Sequence, residues 1–169
     1  MYRHVLICGE VGVGKSTLIN KLLAGTKKPV YGYCTKSLNK RDDGYHEIYM
    51  YPPSDPEKKV YLADCDTKHR HINTDVFETY GVELLNNVGN DGIILMDEIG
   101  FMENNAEKFK ARVLEVLDGD VPVLGAVKSS HPESEFLNAV RNHPKVKLYS
   151  ITKDNRDELY DIIKKDGII

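Results

Sequence analysis

Apolar residues along this chain fall into short runs separated by stretches with helical spacing. Val5-Leu6-Ile7-Cys8 is a four-residue apolar run and predicts a strand. Residues 17–23, with Leu18, Ile19, Leu22 and Leu23, have helical spacing and stop near Gly25. Residues 29–35 predict a second strand and residues 36–43 a polar loop. Residues 45–51 alternate as a half-buried strand does, Pro52 to Pro56 form a turn, and residues 60–63 return. This segment predicts an antiparallel hairpin extension. Val76, Phe77, Tyr80, Leu84 and Leu85 place a helix over residues 75–87.

The second half alternates regularly. Strands are predicted at 93–96, 121–127 and 146–150, with helices at 106–117, 133–141 and 155–165. Strand–helix alternation implies a mostly parallel sheet with helices on both faces, an α/β fold. Ligands on such sheets bind at the carboxyl ends of the strands. There is no internal repeat or low-complexity linker, and one domain is expected across residues 1–169.

Composition narrows the classes. With 41% apolar and 29% charged residues the chain is expected to fold as a globular protein. A net charge of −3 offers no broad basic field, so nucleic acid is not an expected partner. No apolar run has the length of a membrane span or of a signal peptide. Cys8, Cys34 and Cys65 are odd in number and widely spaced, which argues against a disulfide framework or a Cys₄ zinc site. A cytoplasmic setting is expected.

The most informative stretch joins the first strand to the first helix. Gly9-Glu10-Val11-Gly12-Val13-Gly14-Lys15-Ser16 is G-x-x-x-x-G-K-[ST], the phosphate-binding loop, followed by Thr17. Its backbone N–H groups cradle phosphate, Lys15 reaches the β- and γ-phosphates, and Ser16 offers a hydroxyl to Mg²⁺. The helix N-terminus adds its positive dipole end. A second motif is Ile93-Ile94-Leu95-Met96-Asp97-Glu98, a buried strand ending in two carboxylates. Beside a phosphate loop this is the Walker B pattern: Asp97 orients Mg²⁺, and Glu98 polarises a water for attack on the γ-phosphate.

These residues carry a resemblance. The chain resembles the THEP1 family of small nucleoside-triphosphatases, called cancer-related nucleoside-triphosphatases in animals. The likeness runs through Gly9 to Leu18, Gly32-Tyr33-Cys34-Thr35, Val76 to Val82, Val121 to Gly125 and Ile151 to Asp157. Its most distinctive string is Asp97-Glu98-Ile99-Gly100-Phe101-Met102-Glu103. The resemblance implies a RecA-like P-loop fold and Mg²⁺-dependent hydrolysis of ATP, GTP and other NTPs to NDP and phosphate. It also implies loose base selectivity and a monomer. Three segments depart from the family pattern. An arginine-bearing, glycine-rich loop is replaced by residues 36–43, where only Arg41 could meet phosphate. The usual Gly-Thr-Val-His is Gly125-Ala126-Val127-Lys128, which makes Lys128 a candidate γ-phosphate contact. Phe101 stands where a lysine or proline is common.

Other positions have a functional and a plain reading. Asn155 and Arg156, at a strand's carboxyl end, could contact base or phosphate. Equally, Thr152 or Asp154 could cap the last helix there, with Asp157 and Glu158 in its first turn. His69-Arg70-His71 lacks partners at ligand spacing and reads as loop. His131-Pro132-Glu133 reads as a helix start capped by Ser129 or Ser130. Tyr31, Tyr33, Tyr45, Tyr49, Tyr51 and Tyr61 cluster on the expected hairpin, as a stacking surface or as cross-strand packing. Three functions are compatible with these features: an NTP hydrolase, a nucleoside or small-molecule kinase, and a nucleotide-dependent switch.

Overall fold

The computed structural model describes residues 1–100 and 102–169; the expectation at Phe101 lies outside the described residues. The strands are β1 (His4–Cys8), β2 (Val30–Leu38), β3 (His46–Tyr51), β4 (Val60–Cys65), β5 (Arg70–Ile72), β6 (Ile93–Ile99), β7 (Val123–Val127) and β8 (Val146–Ser150). They form one sheet in the order β5-β4-β3-β2-β6-β7-β1-β8. The run from β2 to β8 is parallel, and β3, β4 and β5 add to β2 in antiparallel fashion. The strand that feeds the phosphate loop, β1, and the acidic strand, β6, are therefore not neighbours: β7 lies between them. That order is the RecA-like arrangement.

The helices are α1 (Lys15–Ala24), α2 (Thr74–Val76), α3 (Val82–Asn86), α4 (Glu107–Asp118), α5 (Glu135–Arg141) and α6 (Arg156–Asp166). Alternation within the strands assigns each side chain to a face. Leu6 of β1 and Ile94 and Met96 of β6 enter the core under α3, α4 and α5 with Phe109, Val113 and Leu137. Val5, Ile7, Ile93 and Leu95 enter the opposite core with Leu18, Leu22, Leu159 and Ile163 of α1 and α6. Burial on both faces explains why the parallel strands read as unbroken apolar runs.

Four expectations need correction. Residues 36–38 extend β2 instead of opening a loop, because β3 pairs with β2 as far as Leu38–Glu47. The antiparallel extension contains the expected hairpin of β3 and β4 and runs one strand further: Arg70–Ile72, expected as loop, pairs with β4 as an edge strand. The helix expected at 75–87 is interrupted by a π turn at Phe77–Gly81. There Glu78 accepts hydrogen bonds from the backbone N–H of Lys108 (3.2 Å) and Phe109 (3.1 Å), capping α4 where Ala106 has no side-chain acceptor. Finally, α5 starts at Glu135 behind Ser134, whose hydroxyl accepts from the N–H of Leu137, because the chain at His131 is left-handed (φ 60°).

The tyrosines do not form one surface. Tyr33 is fully buried, edge-on to Phe109 at 5.6 Å, whereas Tyr49 and Tyr61 pack across β3 and β4 at 5.9 Å. Among the described residues no helix is long and apolar enough to cross a membrane.

His4, wholly buried at the start of β1, ties three elements together. Its Nε2 faces the Leu117 carbonyl at 2.9 Å, and its Nδ1 accepts from the N–H of Val123 at 3.2 Å. Only the neutral ring can do both. Burial accordingly lowers its pKa from 6.5, against the opposing pull of the Leu117 carbonyl. The unfolded chain binds this proton first, so His4 contributes stability above about pH 6.5 and loses it as pH falls. Glu103, whose pKa is raised, works in the opposite direction, so the wild-type profile mixes the two. His4→Leu isolates the histidine: it is expected to cost about 1–3 kcal/mol at pH 7.5, from the unpaired Val123 N–H, and less at pH 5.5. Denaturant melts of both proteins at the two pH values measure this; a pH-independent difference would contradict the linkage.

Candidate functional site

The loop between β1 and α1 is shaped by a few local requirements. Gly12 and Gly14 take left-handed angles (φ 80° and 110°), which turn the chain around the helix end. Gly9 passes so close to β8's exit that a Cβ there would lie 2.6 Å from the Ile151 carbonyl oxygen. Val13 is buried and anchors the loop in the core under α1, while Val11 is exposed at its tip. The Lys15 ammonium donates to the carbonyls of Gly9 (2.7 Å) and Glu10 (2.8 Å), spanning the loop it belongs to.

Lys15 and Ser16 open onto a cleft of about 500 Å³, which also receives Asp97, Glu98 and Lys128. Asp97 ends the straight part of β6, and its Oδ2 accepts from the N–H (2.9 Å) and hydroxyl (3.4 Å) of Thr35 on β2. Burial raises its pKa, and the Thr35 hydrogen bonds oppose that rise. Glu98 is partly exposed, and its Oε1 lies 3.1 Å from the Lys128 ammonium. Lys128 follows β7, and Arg141 of α5 holds its backbone: the guanidinium donates to the Lys128 carbonyl at 2.8 and 2.6 Å and also to the Ser130 carbonyl. A bound-down backbone limits where this long side chain can reach.

Glu103 and Arg70 line the same cleft. Glu103 is almost wholly buried, and its Oε1 accepts from the N–H of Gly100 at 2.9 Å. Burial pushes its pKa up to about 7, against the effect of that hydrogen bond. Its only sequence signal is its place at the end of the distinctive Asp97-to-Glu103 string. Arg70, on β5, also lines the cleft. Arg41, the arginine expected near phosphate, is instead exposed, stacks on Tyr45 at 4.1 Å, and is not part of the cleft wall.

Asn155 and Arg156 are likewise separate from this cleft. Asn155 precedes α6 and is engaged locally: its Oδ1 accepts from the Thr152 N–H (2.8 Å) and its Nδ2 donates to the Ser150 carbonyl (2.9 Å). Arg156 lies on the other side of the loop, beside Gly14 and Thr17.

The oxygen donors suit a hard cation of the Mg²⁺ kind. Among the described residues no three His, Cys, Asp or Glu side chains gather into a metal cluster. One hydroxyl (Ser16) and one carboxylate (Asp97) are a sparse set of the type Mg²⁺ uses when water and substrate phosphates complete its shell.

Comparison with known proteins agrees with this geometry. A model of the NTPase family matches residues 4–164. The nucleoside-triphosphatase THEP1 of Methanocaldococcus jannaschii is 31% identical over 169 residues, covering 95% of this chain and 94% of that protein. The human cancer-related nucleoside-triphosphatase is 28% identical over 178 residues, covering 94% and 93%. The solution structure of a human cancer-related nucleoside triphosphatase superposes with a TM-score of 0.76 at 26% identity, over 98% of this chain and 97% of that one. The crystal structure of THEP1 from Aquifex aeolicus gives 0.74 at 26% identity, over 95% and 96%. The chain, with its phosphate loop and acidic strand end on a RecA-like sheet, thus belongs to the NTPase family that includes THEP1 and the cancer-related nucleoside-triphosphatases.

Proposed function

We propose that this protein is a Mg²⁺-dependent nucleoside-triphosphatase that hydrolyses ATP, GTP and other NTPs to NDP and phosphate. The observation that carries the reading is that Lys15, Ser16, Asp97 and Glu98, from two strand ends separated by a third strand, share one cleft. Backbone N–H groups from Gly9 to Thr17 cradle the phosphates, and Lys15 exchanges its two carbonyl partners for phosphate oxygens. Ser16 and Asp97 hold the metal, which when bound neutralises charge on the phosphate oxygens. Glu98 takes a proton from water as the water oxygen bonds to the γ-phosphorus. The bond from that phosphorus to the β–γ bridging oxygen then breaks. In this scheme Lys128, which pairs with Glu98, turns its ammonium to the γ-phosphate as charge builds there.

Phosphate release from ATP and from GTP tests the reading directly. Release is expected with Mg²⁺ and is expected to vanish with excess chelator, then return on adding Mg²⁺. Release that ignores the chelator would remove the metal from the scheme. No release from either nucleotide would remove hydrolysis.

A second reading has one observation in its favour. The cleft continues past Glu98 along the antiparallel extension, with Lys36 and Arg70 on its wall. That space could admit an acceptor hydroxyl in place of water, making the protein a small-molecule kinase. Phosphorylated product, with loss of free phosphate, on adding an acceptor panel would favour it.

A further inference from the structure

The hydrolysis scheme uses residues at the ends of β1, β6 and β7, but the cleft is also lined from the antiparallel extension, by His46 of β3, Cys65 of β4 and Arg70 of β5. In the sheet order β5 stands four strands from β6. At the usual spacing that is about 19 Å along the sheet, a span that a water or a phosphate at Glu98 does not fill. The register sets the three side chains in one row. Cys65 pairs with His46 on one side and with Arg70 on the other, and residues opposite each other on antiparallel strands share a face. The adjoining row on that face is Ile48, Ala63 and Ile72, which pack into the same core as Phe77. Ile48 and Phe77, together with Met102, give the cleft an apolar wall.

The polar groups of this row suit an anion. Among the described residues the Arg70 guanidinium has no hydrogen-bond or ion-pair partner, and its charge acts on the Cys65 thiol, opposing the rise that burial gives the thiol pKa. Asp66 is the only acid that the extension contributes among the described lining residues. Its Oδ1 already accepts from the N–H groups of Lys68 and His69, both at 2.7 Å, so its charge is engaged in the turn into β5. The His46 Nδ1 lies 3.1 Å from the Gly44 carbonyl, which can only accept, so Nδ1 carries the hydrogen and Nε2 is left for a ligand. We propose that this end of the cleft binds a small anion with an apolar body, a phosphate monoester or a carboxylate, whose oxyanion pairs with Arg70 and whose body lies against Ile48, Phe77 and Met102. A guanidinium meets either headgroup through two parallel N–H donors, and an apolar wall with a few convergent polar groups is the usual make-up of a small-molecule site. The inference rests on the phosphate-loop reading above only for where the nucleotide sits. An occupant with a hydroxyl at its other end is the acceptor class that the kinase reading calls for. Its oxygen bonds to the γ-phosphorus, its proton passes to Glu98, and the bond to the β–γ bridging oxygen breaks, leaving NDP and a phosphate ester.

Three probes with one apolar body test the site: naphthyl phosphate, naphthoate and the neutral naphthol. Their affinities would be measured by equilibrium dialysis, with Mg²⁺ and a saturating β,γ-imido analogue of ATP to keep the anions off the phosphate loop. Wild type is expected to bind at least one anion about 10-fold more tightly than naphthol, the scale of a hydrogen bond to a charged group. The tighter of the two anions identifies the headgroup. Arg70→Gln, at an exposed side chain, is expected to erase that preference and leave naphthol binding unchanged. Lys68→Gln removes the same charge two positions away, from a residue outside the cleft wall, and is expected to keep the preference. A wild type without preference for either anion would overturn the site. So would a preference that survives Arg70→Gln, or one that falls equally in Lys68→Gln. If the ATP analogue itself fails to bind, the phosphate-loop reading falls, and the same comparison of probes without nucleotide still decides the anion site.

Discussion

Glu98→Gln is expected to slow phosphate release by about 10²–10⁴-fold, the usual contribution of a positioned general base, with nucleotide affinity little changed. The substitution keeps the shape of the side chain, and its amide oxygen can still accept from Lys128, which in the wild type lies 3.1 Å from Oε1. What disappears is the ability to take a proton. The Tyr33 hydroxyl, which donates to the Glu98 carbonyl at 3.2 Å, is unaffected, so the backbone at the end of β6 should stay in place. Single-turnover hydrolysis together with a binding titration separates the two quantities. A variant that binds and turns over like wild type would show that water is activated elsewhere, and the kinase reading would then gain ground.

Lys15→Ala is expected to remove turnover by at least about 10²–10³-fold, the scale seen when one preorganised donor to a developing anionic charge is lost, and to weaken triphosphate binding too. The structure explains why a shorter side chain cannot compensate. The ammonium reaches back across the loop to the carbonyls of Gly9 and Glu10, a span that the methyl group of alanine cannot make. Without it the N–H cradle persists, because Gly12, Gly14 and buried Val13 still shape the loop. Diphosphate should therefore lose less affinity than triphosphate. Calorimetry with NDP and a non-hydrolysable NTP checks this pattern; equal losses would place Lys15 away from the γ-phosphate. Lys15→Arg is not expected to rescue, because a forked planar guanidinium does not replace a compact ammonium in a close-fitting loop.

Local spacing makes several of these features legible in the amino-acid order. Gly9 to Ser16 and Ile93 to Glu98 are contiguous, and the backbone geometry each needs is written in its own residues: glycines for left-handed angles, apolar runs for strands buried on both faces. The regular alternation after residue 90 likewise implies the parallel sheet, since each strand and helix there is long enough to display its period. Shorter or context-dependent pieces are not legible. Arg70 belongs to a three-residue edge strand with little alternation to read, and it forms because β4 offers an unpaired edge. The π turn at Phe77–Gly81 goes with Glu78 capping a helix about 30 residues downstream, a pairing that helical periodicity cannot encode.

The sequence by itself determined that a phosphate loop and an acidic strand end are present, because each is a local pattern with its own chemical requirement. Only the tertiary structure decided what they meet. The insertion of β7 between β1 and β6 sets how Glu98 and Lys128 come together, and it depends on pairing between strands far apart in the chain. The packing of α6 beside α1 decided that Arg156 faces the loop's other side and not the cleft of Glu98. Side chains distant in sequence become neighbours only when sheet order and helix packing are settled, and those are properties of the whole core.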